Sequence, residues 1–224
     1  LSGVAVNIVR EGQPVGMFYG FVEEDSLTED GLIQYKDTND DGVVNDSDKT
    51  IIGNPNPDFI YGFNTSVSYK NLSLDILFSG VQGNDIFNFN STTIADGFSY
   101  GLNQVRDVLG NYWTAENPDP NAKYPRISKN TQYRASDRYV EDGSYLRMRN
   151  IQLTYRLNDL ASGWTWLNGS YIYISGQNLI TITNYTGYTP NVSTRGGSNS
   201  ISPGLDAFGY PDSRTFTLGF KLKL

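Results

Sequence analysis

Residues 58–80 read DFIYGFNTSVSYKNLSLDILFSG, and this stretch decides the fold. In its first half Phe59, Tyr61, Phe63, Thr65, Val67 and Tyr69 alternate with Ile60, Gly62, Asn64, Ser66 and Ser68. A period of two puts the first, largely aromatic set on one face of a strand. Leu72, Leu74, Ile76 and Phe78 then share one parity against Ser73, Asp75 and Ser79. Only Lys70 and Asn71 separate the two runs, so the spacing predicts an antiparallel hairpin with a tight turn.

The same pattern recurs outward from this hairpin. At the carboxyl end, RTFTLGFKLKL sets Phe216, Leu218, Phe220, Leu222 and Leu224 against Thr215, Thr217, Gly219, Lys221 and Lys223. Further strands are expected near 1–10, 15–22, 144–157 and 169–179, beside those at 57–69, 71–80 and 213–224. The strand 169–179, GSYIYISGQNL, is apolar on both parities and leaves its facing open. In 144–157, Ile151, Leu153 and Tyr155 share their parity with Arg147 and Arg149. Either a bulge resets the face or the strand leaves its apolar surroundings there; the second is the expectation.

Composition agrees with β structure and removes much chemistry. Sixteen Tyr and 23 Gly with a mean hydropathy of -0.42 suit half-buried aromatic strands joined by polar loops. There is no Cys and no His, which excludes disulfide staples, thiolate or imidazole zinc sites and Ser-His-Asp triads. A net charge of -7, with Lys and Arg scattered, excludes a nucleic-acid partner. No apolar run is long enough for a transmembrane helix, and LSGVAVNIVREG at the amino end lacks the blocks of a signal peptide. The chain reads as one entered in the middle.

Short and long connections alternate. Breaks near Gly12 to Pro14, at 70–71 and near 158–168 are short, whereas 23–56, 81–142 and 180–212 are long and polar. Loops far beyond about 15 residues are uncommon in compact domains and usually functional. An up-and-down sheet with every second connection long collects the long loops at one end, as transmembrane barrels do. A soluble antiparallel sheet with one buried face gives the same alternation.

Within the first long loop, DTNDDGVVNDSD (37–48) fits the twelve-residue calcium-loop pattern. Asp37, Asn39 and Asp41 offer side-chain oxygens, Val43 its carbonyl, Asn45 a water-mediated contact, and Asp48 the closing carboxylate. Gly42 permits the sharp turn. Asp48 stands where a longer Glu is usual, so a weak site is expected, with a dissociation constant of roughly 10⁻⁴ to 10⁻³ M. The flanks GLIQYK and KTIIGNPNPD read as extended, so the expectation is a structural calcium clip without EF-hand helices.

In the second long loop, GLNQVRDVLGNYWTAENPDPNAKYPRI places Leu102, Val105, Val108, Leu109 and Tyr112 or Trp113 at helical spacing, which predicts a short amphipathic helix. Trp113, Tyr124 and Arg126 are the candidates for lining a substrate vestibule, since aromatic faces stack on sugar rings. The pairs Glu23-Glu24 and Glu141-Asp142 point to opposite faces of any strand and are not a glycosidase dyad. No catalytic residue is expected.

Taken in order, PVGMFYGF, YKDTNDDGVVNDSDKTIIGNPNPDFIYGFNTSVSYKNLSLDILFSGVQGNDIFN, YVEDGSYLRMRNIQLTY, YISGQNLITITNYTGYTPNVS and YPDSRTFTLGFKLKL resemble the carboxyl-terminal part of SusC/RagA-type TonB-dependent outer-membrane transporters of the Bacteroidetes. The resemblance covers almost the whole chain. It implies a single unit over 1–224, all-β, forming the carboxyl-terminal part of a 22-stranded transmembrane β-barrel with long extracellular loops. It also implies an integral outer-membrane location in contact with lipid, a SusD-like surface lipoprotein partner, and uptake of oligosaccharides or peptides. TonB would supply the energy, through an amino-terminal part outside these residues. The last strand resembles a signal for barrel assembly, although Leu224 stands where family members often carry an aromatic residue. The alternative is a soluble calcium-dependent carbohydrate-binding or adhesion β-sandwich.

Overall fold

A computed structural model describes residues 5–95, 102–128, 134–158, 169–192 and 202–223. Its strands are β1 (Asn7–Ile8), β2 (Met17–Gly20), β3 (Thr50–Gly53), β4 (Phe59–Tyr69), β5 (Leu72–Gln82) and β6 (Asp85–Asn88). After the short helix α1 (Phe89–Ile94) come β7 (Val140–Asp142), β8 (Tyr145–Arg156), β9 (Tyr171–Thr183), β10 (Leu205–Asp206) and β11 (Thr215–Lys221). They belong to two compact units, where the sequence suggested one: 1–57 with 84–142 and 185–209, and 58–83 with 143–184 and 210–224.

The second unit is a five-stranded antiparallel sheet in the order β11-β9-β8-β5-β4. The hairpin read from residues 58–80 is β4 and β5, turning at Lys70 with φ 53°. Its parity carries across every strand. Val67, Leu74, Leu153, Ile174 and Leu218 stand in one cross-strand row, and Tyr69, Leu72, Tyr155, Ile172 and Phe220 in the next. The opposite face carries Ser66, Asp75, Gln152, Ser175 and Thr217 in register. Lys221 falls on that polar parity.

The apolar row is the exposed one. Val67 is 62% exposed, Ile174 53% and Leu218 82%, while Arg147 on the polar face is 2% exposed. A soluble sandwich packs such a row inward; a membrane barrel turns it to lipid. Among the described residues the outer strands β4 and β11 each pair on one side only, so the sheet is an arc of a barrel wall and does not close.

The phase problem in 144–157 resolves by a bulge, which corrects the expectation that the strand leaves its apolar surroundings. Leu77 pairs with Asn150 and Phe78 with Met148, so Arg149 is the extra residue. On β9, Asn178 and Leu179 lie between Gln177 and Ile180, and Asn178 adopts φ 53°. The added residue flips the parity, so Met148 and Leu146 continue the apolar face of Ile151 and Leu153. Arg147 turns to the polar face, where its Nε donates to Thr181 Oγ1 at 3.1 Å and Nη1 to Asp212 Oδ2 at 2.5 Å. The open facing of 169–179 resolves too: Ile172 and Ile174 lie on the apolar face, Tyr171 and Tyr173 on the other. Tyr173 covers its partner Gly219, where a Cβ would meet the ring at 2.2 Å.

Two of the long connections, 81–142 and 180–212, depart from the end of this sheet formed by Gln82, Tyr145 and Thr183, and they carry β6, α1 and β7, and β10; the third, 23–56, instead runs from β2 into β3 within the first unit, which corrects its reading as a loop of the same sheet. The tight turn at 70–71 is at the other end. The break at 158–168 lies largely outside the described residues, as does Leu224.

The first unit holds the conventional core. Val6, Phe18, Phe87, Phe89, Ala135 and Tyr139 are buried together, with Ile52, Val140, Leu205 and Ala207 packed on them. The strands expected near 1–10 and 15–22 are found here as β1 and β2, short, with β1 paired to β2 and β2 to β3 in a sheet of their own. Residues 1–4 lie outside the described set. Met17, Phe18 and Phe21 are all buried, so PVGMFYGF has no polar parity to present to water or to a lumen.

Candidate functional site

Loop 37–48 is organised by its own polar side chains. Asp37 Oδ1 and Oδ2 accept from the backbone N–H of Asp41 and Gly42 at 3.2 and 2.6 Å. Asn39 Oδ1 accepts from Asp41 N–H, and Asp41 Oδ1 from Val43 N–H. Gly42 takes φ 82°, the turn the pattern required. Asp48 is fully buried and closes the loop: Oδ2 accepts from Asn45 N–H at 2.7 Å and Oδ1 from Thr38 N–H at 2.9 Å. The Asn45 N–H first, then those of Thr38 and Asn39, hold its carboxyl below the usual range against the opposing effect of burial.

These bonds account for the shape of the loop without a cation. Among the described residues no three carboxylates converge as a metal site. Each carboxylate oxygen has a second lone pair, so the oxygen donor set suits a hard cation by chemistry. The side-chain oxygens of Asp37, Asn39 and Asp41 and the carbonyl of Val43 are the atoms that would hold calcium. Asn45 Nδ2 donates to that same carbonyl at 2.9 Å.

A second site lies in the first unit, a cavity of about 550 Å³. Asn88 builds one wall: its Oδ1 accepts from Asn90 and Ser91 N–H and so begins α1. Its Nδ2 donates to Glu141 Oε1 at 2.8 Å, and Glu141 also accepts from Thr186 N–H and Oγ1. On another wall Asp107 pairs with Lys123 and accepts from Tyr124 Oη at 2.7 Å. The Lys123 and Tyr124 donors hold the Asp107 carboxyl below its ordinary value, and the bond to Asp107 raises the Lys123 ammonium. Ile94, Ala95 and Val105 make the wall apolar between them.

Of the three vestibule candidates, Tyr124 lies on this cavity. Trp113 is 7% exposed and packs where a Cβ on Gly31 would be, 2.3 Å from the ring. Arg126 gives its N–H to Gly31 O at 2.7 Å and is not on the cavity wall. The expected helix over Leu102 to Trp113 is a single 3-10 turn, Arg106–Val108. Val105 N–H and Trp113 N–H bond outside the segment, to Ile94 O and Tyr124 O, and Gly110 at φ 83° ends the turn. Sequence reading missed Asn88, Asn90 and Tyr188, and it weighed Glu141 only as half of a glycosidase pair and set it aside. They converge from three separated stretches, and no local spacing marks them.

No protein-family model matches the chain. It is 33% identical over 234 residues to TonB-dependent receptor P3 of Formosa agariphila, covering 96% of this chain and 23% of that protein. It is 27% identical over 190 residues to TonB-dependent receptor SusC of Bacteroides thetaiotaomicron, covering 84% of this chain and 17% of that one. Among solved structures it is similar to the RagAB peptide transporter, with a TM-score of 0.75 and 25% identity, over 93% of this chain and 22% of that chain. The chain thus spans less than a quarter of the length of each of these three.

Proposed function

The chain is a segment of a TonB-dependent receptor of the SusC and RagA kind, and on that premise we propose that the whole receptor imports oligosaccharides or peptides across the outer membrane. Such receptors are integral outer-membrane β-barrels, and this segment supplies five strands of the wall. The observation that carries the reading is the exposed row Val67, Leu74, Leu153, Ile174 and Leu218 over a polar face. In water it is a liability; against lipid it is the stabilising surface.

The role assigned to this segment is wall and recognition, not bond chemistry. The likeness to SusC and to RagAB supports a SusD-like surface lipoprotein as partner, and membership of the family supports energy supplied by TonB through parts outside this segment. Calcium held by the 37–48 loop as a structural clip belongs to the same proposal, supported by the oxygen donor set and by the turn at Gly42.

Native receptor should fractionate with outer membranes and require detergent for extraction. Folded monomer recovered in plain buffer overturns the reading. Deleting the gene should abolish uptake of at least one class among labelled oligosaccharides and peptides; undiminished uptake of both overturns import.

A further inference from the structure

Three cations stand together on the polar face of the wall with no anion beside them. Arg156 and Lys221 flank Tyr171 in one cross-strand row, and Lys223 follows two residues on, at the parity of Lys221. The Lys221 ammonium lies 5.7 Å from the centre of the Tyr171 ring. Lys223 packs on Gly169, and its N–H donates to Ser170 Oγ at 3.1 Å. All three side chains are exposed, and none forms an ion pair among the described residues. Two strand spacings, about 10 Å, separate Arg156 from Lys221, close to the screening length of physiological salt, so the cluster repels itself. Asp75, on the same face, stands in the Gln152 row, about 13 Å along the strands from Arg156.

The place of the cluster says what covers it. It lies one residue beyond the row Tyr69, Leu72, Tyr155, Ile172 and Phe220, at the end of the sheet that carries the tight turn. Barrels of this kind turn their short connections to the periplasm. Its parity is opposite to that lipid-facing row, so these side chains belong to the barrel interior and not to lipid headgroups. The interior of a 22-stranded transporter barrel is too wide for wall side chains to fill and is plugged. This segment spans under a quarter of its relative's length, so the filling comes from the rest of the receptor. A bare cationic patch there calls for carboxylates on the part that fills it.

We propose that Arg156, Lys221 and Lys223 form a docking patch for carboxylates of the receptor's own amino-terminal part, holding that part to the wall at the periplasmic mouth. Exposed ion pairs are individually weak and are screened by salt, so the patch is a clasp that opens when that part is pulled. The proposal rests on the barrel reading of the wall and is independent of which substrate is imported.

The test is zero-length carbodiimide crosslinking of the purified full-length receptor in detergent, which joins an amine to a carboxylate already in contact, read by peptide mass spectrometry. Lys123 and Asp107, which pair in the first unit, are the internal control. Lys221 or Lys223 should be joined to an Asp or Glu of the amino-terminal part. Lys221→Glu combined with Lys223→Glu should abolish that link and keep the heat-modifiable migration of the folded barrel. It should also raise chymotryptic cleavage of the amino-terminal part about threefold in low salt, the scale of one exposed ion pair. Added salt should do the same to the wild type. The control link with none at Lys221 or Lys223 overturns the proposal, as do links from these lysines to another protein only, or cleavage unchanged by the charge reversal. Each of these results leaves the barrel standing, whereas folded monomer in plain buffer removes the barrel reading itself.

Discussion

Leu153 and Ile174 face each other across β8 and β9 as the middle of an apolar row that runs through all five strands of the sheet. The row is continuous because the five strands hold one register on this side of the Arg149 bulge, and it is exposed because lipid is its solvent. Leu153→Arg in the full-length receptor should therefore destabilise the folded barrel by about 2–4 kcal/mol if the position lies near the bilayer centre. Gln152→Arg, one residue away on the polar face, should cost about 0.5 kcal/mol or less. Heat-modifiable migration on gels distinguishes folded from unfolded barrel for both.

Asn178 holds a left-handed backbone at φ 53° opposite the Arg149 bulge. Asn tolerates that region and a β-branched residue does not, so Asn178→Val should cost about 1–2 kcal/mol and Asn178→Gly little. Comparing melting temperatures of the two variants checks this.

Asp48 carries a pH signature. Its folded pKa lies below the unfolded value of 3.8, so its contribution is fully present above that pH and is lost as pH falls through the lower folded value. Pepsin cleavage within 37–48 should rise across that acid window in the wild-type receptor. Asp48→Asn should be cleaved readily with no such pH dependence.

Calcium at about 1 mM should protect residues near 40 from a calcium-independent protease, and chelation should reverse the protection. Identical cleavage with and without calcium would remove the proposed clip.

Burial pushes the Tyr185 phenol well above its ordinary pKa, and its Oη donates to Asp206 Oδ2 at 2.5 Å. Tyr185→Phe leaves that buried oxygen without its donor and should cost about 1–3 kcal/mol, read as a lower Tm. Gly209 N–H, which donates to the other oxygen at 3.1 Å, remains in place.

Residues 58–80 were legible because on a strand a residue's face follows from its position alone. The strands expected at 57–69 and 71–80 appear as Phe59–Tyr69 and Leu72–Gln82 for that reason. The Arg149 bulge was not legible: one inserted residue and a strand passing out of lipid write the same pattern of Arg147, Arg149 and Ile151. Leu102 to Trp113 misled in the other direction, because helical spacing says nothing of the partners that Val105 and Trp113 find elsewhere.

By itself the sequence determined the alternation, the hairpin and the turn at Gly42, all of which depend on neighbours within a few residues. Only the tertiary structure decided which parity is exposed, where the bulge resets it, that Phe18 and Phe87 share a core, and that Asn90, Tyr124, Glu141 and Tyr188 line one cavity. Those relations join residues tens of positions apart. Chain topology and competition among packing partners set them, and neither is written in any local spacing.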